Sequence, residues 1–75
     1  MNKVRRKAIE KIAERLSELE MDFESIFDEE SEYMDNIPEN LQSGERYEAI
    51  EDTVFNMEQI IMVLQGTYED LMELC

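Results

Sequence analysis

Two runs of apolar residues at alternating steps of three and four positions dominate this sequence, and its single proline lies between them. Such spacing places side chains along one stripe of an α-helix, in the pattern typical of heptad repeats. The sequence therefore predicts an all-α fold with two long amphipathic helices. The first run contains Ile9, Ile12, Leu16, Leu19, Phe23, Ile26, Tyr33 and Ile37 and is interrupted only at Glu30. The second run is unbroken and contains Tyr47, Ile50, Val54, Met57, Ile61, Leu64, Tyr68, Leu71 and Cys75.

Pro38 sets the boundary between the two helices. Proline disfavours helical geometry at the residue before it and removes a backbone donor, so the first helix should end a few residues earlier. We expect helix one at about residues 2–35, a turn at 36–42 and helix two at about 43–74, with Ser43 as the N-cap of helix two. Two helices of similar length pack antiparallel over their full extent. The predicted fold is one domain, residues 1–75, forming an antiparallel, coiled-coil-like two-helix hairpin.

Several apolar residues lie off these two stripes, namely Met21, Phe27, Met34, Phe55, Met62 and Met72. In addition, QIIMVL makes helix two apolar on all sides near its middle. A helix that is apolar all round requires burial on more than one side, which a single hairpin does not provide. We therefore expect a homodimer that forms a four-helix bundle. The predicted dimer interface consists of Phe27, Phe55, Ile60, Met62 and Val63. Gly66 leaves two interpretations open: a tolerated glycine at an exposed position, or close approach of another helix.

The net charge of −13 is concentrated in the middle of the chain. Fourteen carboxylates and one base, Arg46, lie between Glu18 and Asp52, and the remaining residues carry six acids and six bases. A hairpin would therefore be strongly acidic at its turn and neutral at its other end. Three roles stay open for this acidic patch: a solvated surface, a binding site for a basic protein, or a weak divalent-cation site. Its candidate partner-binding residues are Asp28, Glu29, Glu30, Glu32, Asp35, Glu48, Glu51 and Asp52.

The residues needed for most catalytic and metal-binding chemistry are missing. The chain has no histidine, one cysteine and two glycines, so it offers no zinc or di-iron motif, no histidine-assisted nucleophile and no phosphate-binding loop. DEESEYMDN lacks the spacing and the central glycine of a calcium-binding EF-hand loop. We therefore expect no enzyme activity, no cofactor and no metal.

The same composition bears on localisation and partners. No apolar run reaches seven residues, which argues against a signal peptide, and none is long enough to span a membrane. A single cysteine is compatible with a reducing, cytoplasmic location. The acidic end would repel phosphate groups, so direct binding to nucleic acid or to an anionic membrane is not expected.

The turn and the start of helix two contain a distinctive set of residues: Asn36, Pro38, Glu39, Asn40, Leu41, Gln42, Glu45, Arg46, Tyr47 and Glu48. Through these residues, the segment DNIPENLQSGERYEAIEDTVFNMEQII resembles small acidic helical proteins of prophages and mobile elements of Gram-positive bacteria. In those proteins an Asn-(Ile or Met)-Pro-Glu-Asn-Leu-Gln turn precedes a Glu-rich heptad helix. The resemblance covers about a third of the chain, and the apolar QIIMVL departs from it. It implies a phage or mobile-element setting and no particular activity.

These observations lead to three functional hypotheses. By analogy with small acidic phage proteins, the first is an inhibitor that mimics DNA and occupies the basic nucleic-acid-binding surface of a host defence nuclease, such as a CRISPR nuclease. The second is a structural or adaptor protein whose acids only confer solubility. The third is a sponge for a small ligand, for which only the bases between Lys3 and Arg15 would be available to bind an anion.

Overall fold

The computed structural model describes all 75 residues and contains two long α-helices packed against each other. Helix α1 is Lys3–Asp35, helix α2 is Glu45–Glu73, and a single 3₁₀ turn, Glu39–Leu41, lies between them. The Cα atoms extend over 59 × 15 × 12 Å. The side chains of Gln65 and Glu20 meet near the middle, and Cys75 reaches Arg6 at one end, so the helices are antiparallel. The predicted all-α, two-helix fold is confirmed.

Backbone groups at the helix ends explain where α1 begins and ends. The Asn2 side chain accepts a hydrogen bond from the Arg5 backbone N–H at 2.8 Å, which satisfies one of the free donors of the first turn. At the other end, the N–H of Asn36 bonds to the carbonyl of Glu32. Pro38 follows two residues later with extended backbone angles. The helix therefore stops just before the residue that proline restricts, as its chemistry requires.

The turn is held by local hydrogen bonds. The Leu41 N–H donates to the Pro38 carbonyl at 2.9 Å, which begins the 3₁₀ turn, and the Gln42 side-chain amide donates to the Ile37 carbonyl at 3.1 Å. The prediction that Ser43 caps α2 is wrong. The N-cap is Gly44, in extended conformation and without a side-chain cap, and α2 begins one residue later.

The α2 side of the helix interface lies where the heptad pattern predicts it. Val54 and Ile61 are buried, and the other seam residues from Tyr47 to Leu71 are half-buried. Cys75, the last position of the predicted stripe, is exposed. The seam of α2 is therefore confirmed over eight of its nine predicted positions.

The α1 side of the interface differs from the prediction at every second seam position, where the next residue in the sequence faces α2 instead. Ile12, Leu19, Ile26 and Tyr33 belong to the predicted seam, yet their exposed fractions are 51%, 63%, 55% and 49%. The residues that follow them, Ala13, Glu20, Phe27 and Met34, are buried or half-buried instead. The prediction that Ile12, Leu19, Ile26 and Tyr33 face α2 is therefore wrong. The prediction that Phe27 and Met34 lie off the seam is also wrong. Starting from Ile9, consecutive residues of the α1 seam are therefore separated by four and then three positions in alternation.

Gly66 has open space around it within the hairpin. A Cβ atom placed there would meet no atom within 4 Å outside the local helix backbone. The two helices of the hairpin therefore impose no requirement for glycine at this position, and glycine only lowers the helical propensity of α2.

We expect Gly66→Ala to raise the free energy of unfolding by about 1 kcal/mol, because alanine has the higher helix propensity and its methyl group is accommodated without a clash. The measurement is urea denaturation followed by circular dichroism at one fixed protein concentration. Gly44→Ala is the matched control: that residue is a helix N-cap, where alanine is a poor choice, so no gain is expected. A loss of stability in Gly66→Ala would indicate that another helix approaches closely there.

Candidate functional site at the turn end

The antiparallel hairpin brings the predicted acidic patch together at one end of the molecule. The C-terminal half of α1 and the first turns of α2 lie side by side there, joined by the turn. Seven of the eight candidate residues are exposed, and Glu30 is half-buried on the side of α1 that faces α2. The structure therefore places the predicted residues on one end of a rigid helix pair, available to solvent. Whether they bind a partner stays a prediction.

The helix dipoles act differently on the two halves of this patch. Glu45 and Glu48 lie in the first turn of α2, where the positive end of the dipole stabilises them. In α1 the acids approach the C-terminal end, Asp35 is the last helical residue, and no base lies in the last turn. Negative side chains are unfavourable at that end of a helix. A cationic partner at the turn would relieve this repulsion.

A row of like charges follows one face of α1. Glu20, Glu24 and Asp28 are spaced four residues apart, so their side chains are neighbours. A side-chain hydrogen bond with Glu20 and repulsion from its charge raise the pKa of Glu24 above its ordinary value of 4.5, and desolvation and the charge of Asp28 add to the effect. The Glu20 carboxylate also accepts a hydrogen bond from the Gln65 side chain at 3.1 Å.

A half-open cleft of about 560 Å³ lies at the turn. Two tyrosines, Tyr33 and Tyr47, contribute to its wall, together with Arg46, the one base of the acidic end. Its other lining residues are Asn36, Ile37, Pro38, Leu41, Gly44, Glu45 and Ile50. Sequence reasoning missed this cleft. The sequence contains only a weak signal for it: two apolar residues, Ile37 and Leu41, lie on either side of Pro38 in the segment between the helices.

The five residues predicted to form the dimer interface do not share one surface. Phe27 is half-buried in the rotated α1 seam. Phe55, Ile60, Met62 and Val63 are between 47% and 66% exposed. Phe55 and Met62 each follow a buried seam residue by one position, whereas Ile60 precedes one, so they lie on opposite flanks of α2.

No group of three or more acidic or cysteine side chains is arranged to hold a metal ion. Neither helix is long and apolar enough to cross a membrane. No protein-family model, curated protein or solved structure matches the chain.

The raised pKa of Glu24 gives a pH-dependent prediction. A carboxyl group that binds its proton more tightly in the folded state stabilises the fold when protonated, and that stabilisation is lost as pH rises from below 4.5 through the raised value. Glu24→Gln mimics the protonated form. We expect this variant to be more stable than the wild type at pH 7, and the difference to disappear as the pH falls below 4.5.

Urea midpoints measured across this pH range at one protein concentration test the prediction. Glu58→Gln is the control, because Glu58 has no charged residue three or four positions away and lacks such like-charge neighbours. If both substitutions change stability equally at every pH, repulsion within the row of α1 is not the cause.

Proposed function

We propose that this chain is a non-catalytic interaction module whose acidic end occupies the basic, nucleic-acid-binding surface of another protein. The observation that carries the proposal is the location of the charge. All of the net charge of −13 resides between Glu18 and Asp52, at the turn end of an elongated helix pair whose other end is neutral. Such a field attracts a cationic surface and orients it toward the turn.

The density of this charge approaches that of nucleic acid. The part of α1 that carries these acids rises about 25 Å, and α2 returns beside it. Fourteen carboxylates over that length give about one charge per 1.8 Å, against about one per 1.7 Å of axis in duplex DNA. A partner that neutralises phosphates with lysine and arginine would find a similar linear charge here. With the resemblance to prophage proteins, this favours a DNA mimic acting on a host defence nuclease, such as a CRISPR nuclease.

The proposal includes a homodimer that forms a four-helix bundle. Only Ala13, Val54 and Ile61 are buried in the hairpin, whereas fourteen large hydrophobic residues are exposed. A core of three residues is small for a chain of this length, and a second subunit is a common way to complete it. The dimer would carry two acidic ends.

A competition assay tests the proposed binding. Partners captured from bacterial lysate on the immobilised protein at low salt are identified, and each is then bound to a labelled DNA duplex. We expect the protein to displace the duplex, with an affinity that falls steeply as salt increases. The variant Asp28→Asn, Glu29→Gln, Glu30→Gln, Glu32→Gln should lose most of this displacement.

The matched control places the same four charge changes at the neutral end, as Glu10→Gln, Glu14→Gln, Glu69→Gln, Glu73→Gln. It should retain displacement, since it alters the net charge equally and leaves the acidic end intact. Equal loss in both variants would mean that only net charge matters. Recovery of partners that are neither basic nor nucleic-acid-binding would contradict the proposal.

The exposure of two large apolar residues favours an adaptor as the second candidate. Phe55 and Met62 are both 59% exposed, and they lie one heptad apart on the same flank of α2. In an adaptor, glutamine at these two positions would abolish partner capture, and the four amide substitutions at the acidic end would leave it unchanged. The DNA-mimic proposal expects the opposite ranking.

A further inference from the structure

A continuous apolar stripe lies on the outside of α1. Ile12, Leu19, Ile26 and Tyr33 recur every seven residues, and each is between 49% and 63% exposed. Side chains seven positions apart lie in one line along a helix. Each one precedes a residue of the α1 seam, so the line follows one edge of the contact with α2. This stripe includes the largest aliphatic residues that α1 leaves uncovered over that length.

Contacts between the helices show which α2 residues share this face. On one flank of the hairpin, Ser17 and Glu20 line a shallow cleft with Gln65. On the other flank, the turn cleft joins Tyr33 to Arg46. Residues that follow Arg46 at successive intervals of seven positions lie along that second flank of α2. The α2 residues of this face are therefore Arg46, Thr53, Ile60, Thr67 and Leu74, with Val63 beside Ile60.

The hairpin exposes more surface than a compact protein of its mass. Its accessible surface is 6058 Å², whereas a compact monomer of this mass exposes about 4,800 Å². Its radius of gyration is 17.3 Å, against about 11 Å for a compact chain of this length. The excess surface, roughly 1,200 Å², is comparable with the area of about 800 Å² that each partner buries in an interface of standard size. One additional hairpin on one face would account for most of it.

We propose that a second copy of this chain covers the face formed by Ile12, Leu19, Ile26, Tyr33, Ile60 and Val63, and that the two hairpins run antiparallel. Charge decides the orientation. In a parallel dimer the two acidic ends would meet, each with a net charge of −13, and repel each other. In an antiparallel dimer the partner's acidic end instead lies beside the neutral end of the hairpin, which contains the six bases between Lys3 and Arg15 and does not repel it.

The spacing of the stripe allows two copies of it to pair in an antiparallel register. A two-fold axis between residues 22 and 23 of α1 places Ile12 opposite the partner's Tyr33 and Leu19 opposite the partner's Ile26. All four members of the stripe are then paired, as an isologous interface requires.

This inference rests on the homodimer of the proposed function and adds its face and its orientation. It places the two acidic ends at opposite ends of the bundle, a hairpin length of 59 Å apart at most. A dimer of this form would contact two basic surfaces rather than concentrate both patches on one.

Disulfide cross-linking tests the orientation. In a Cys75→Ser background, we expect Ile12→Cys with Tyr33→Cys to shift under mild oxidation from the 8.9 kDa chain to a covalent dimer. Each single variant should remain monomeric on a denaturing gel, because its two copies lie far apart in an antiparallel pair. Within one chain these two positions are about 30 Å apart along α1, too far for an internal bond. Rapid linkage of Ile12→Cys alone would indicate a parallel dimer and overturn the inference.

Sedimentation equilibrium tests the face. Wild type should sediment as a dimer, Leu19→Gln with Ile26→Gln should shift to the monomer mass, and the control Met21→Gln with Met62→Gln should remain dimeric. The control residues are 57% and 59% exposed and lie on the other flank. Dissociation of the control alone would overturn the proposed face while leaving the homodimer intact. A monomeric wild type at micromolar concentration would overturn the homodimer too, and a different partner would then cover the stripe.

Circular dichroism shows whether the stripe variant remains helical. If it unfolds, the cross-linking result decides the inference by itself, since those variants leave Leu19 and Ile26 unchanged.

Discussion

Two antiparallel helices bury only one stripe of each other, and this limit governs the whole molecule. Only Ala13, Val54 and Ile61 are buried, and of these the small Ala13 alone is completely enclosed. The remaining contacts along the seam are half-exposed to solvent. Because apolar burial is the main source of stability in a small protein, a hairpin with this seam gains from any further cover. The exposed stripe of α1 and the apolar middle of α2 follow from the same limit.

The antiparallel arrangement also determines how charge is distributed between the two ends of the hairpin. The acids of α1 lie in its C-terminal half and those of α2 in its first turns, so the hairpin brings both groups to the turn. The bases of α1 are in its N-terminal half, beside Glu69, Asp70 and Glu73 near the end of α2. Repulsion at the turn costs stability, and the dipole of α1 increases that cost. A fold that keeps such a charge distribution is suited to meeting an opposite charge on a basic protein, or the neutral end of another copy, which does not repel it.

The sequence predicted α2 better than α1 for a physical reason. In α2 the three-four pattern has one consistent set of apolar residues, and eight of its nine members are buried or half-buried in the structure. In α1 two sets compete: Ile12, Leu19, Ile26 and Tyr33 against Ala13, Glu20, Phe27 and Met34. A reading by hydrophobicity selects the first set because its members are large and apolar. In the hairpin the second set faces α2, with Ala13 buried and the other three half-buried, and a rotation of one residue separates the two sets.

The turn was predictable in outline and not in detail. Pro38 determined that α1 ends before it. The choice of Gly44 over Ser43 as N-cap depends on the backbone path from the 3₁₀ turn to the first residue of α2. Capping preference alone favours serine over glycine. The cleft at the turn could not be derived either, because its volume depends on how far the 3₁₀ turn holds Leu41 from Tyr33 and Tyr47.

The α1 seam combines large apolar residues, such as Leu16, Phe23 and Phe27, with small and polar ones. The seam contains a small residue, Ala13, two half-buried acids, Glu20 and Glu30, and Ser31, whose hydroxyl is buried without a hydrogen-bond partner. Small and polar residues allow close packing and fix the register, as the bond between Glu20 and Gln65 does, but they add little apolar burial. The larger residues of the outer stripe become stabilising only when something covers them. In the proposed dimer, different residues of the same helix would therefore stabilise the fold of the hairpin and its association.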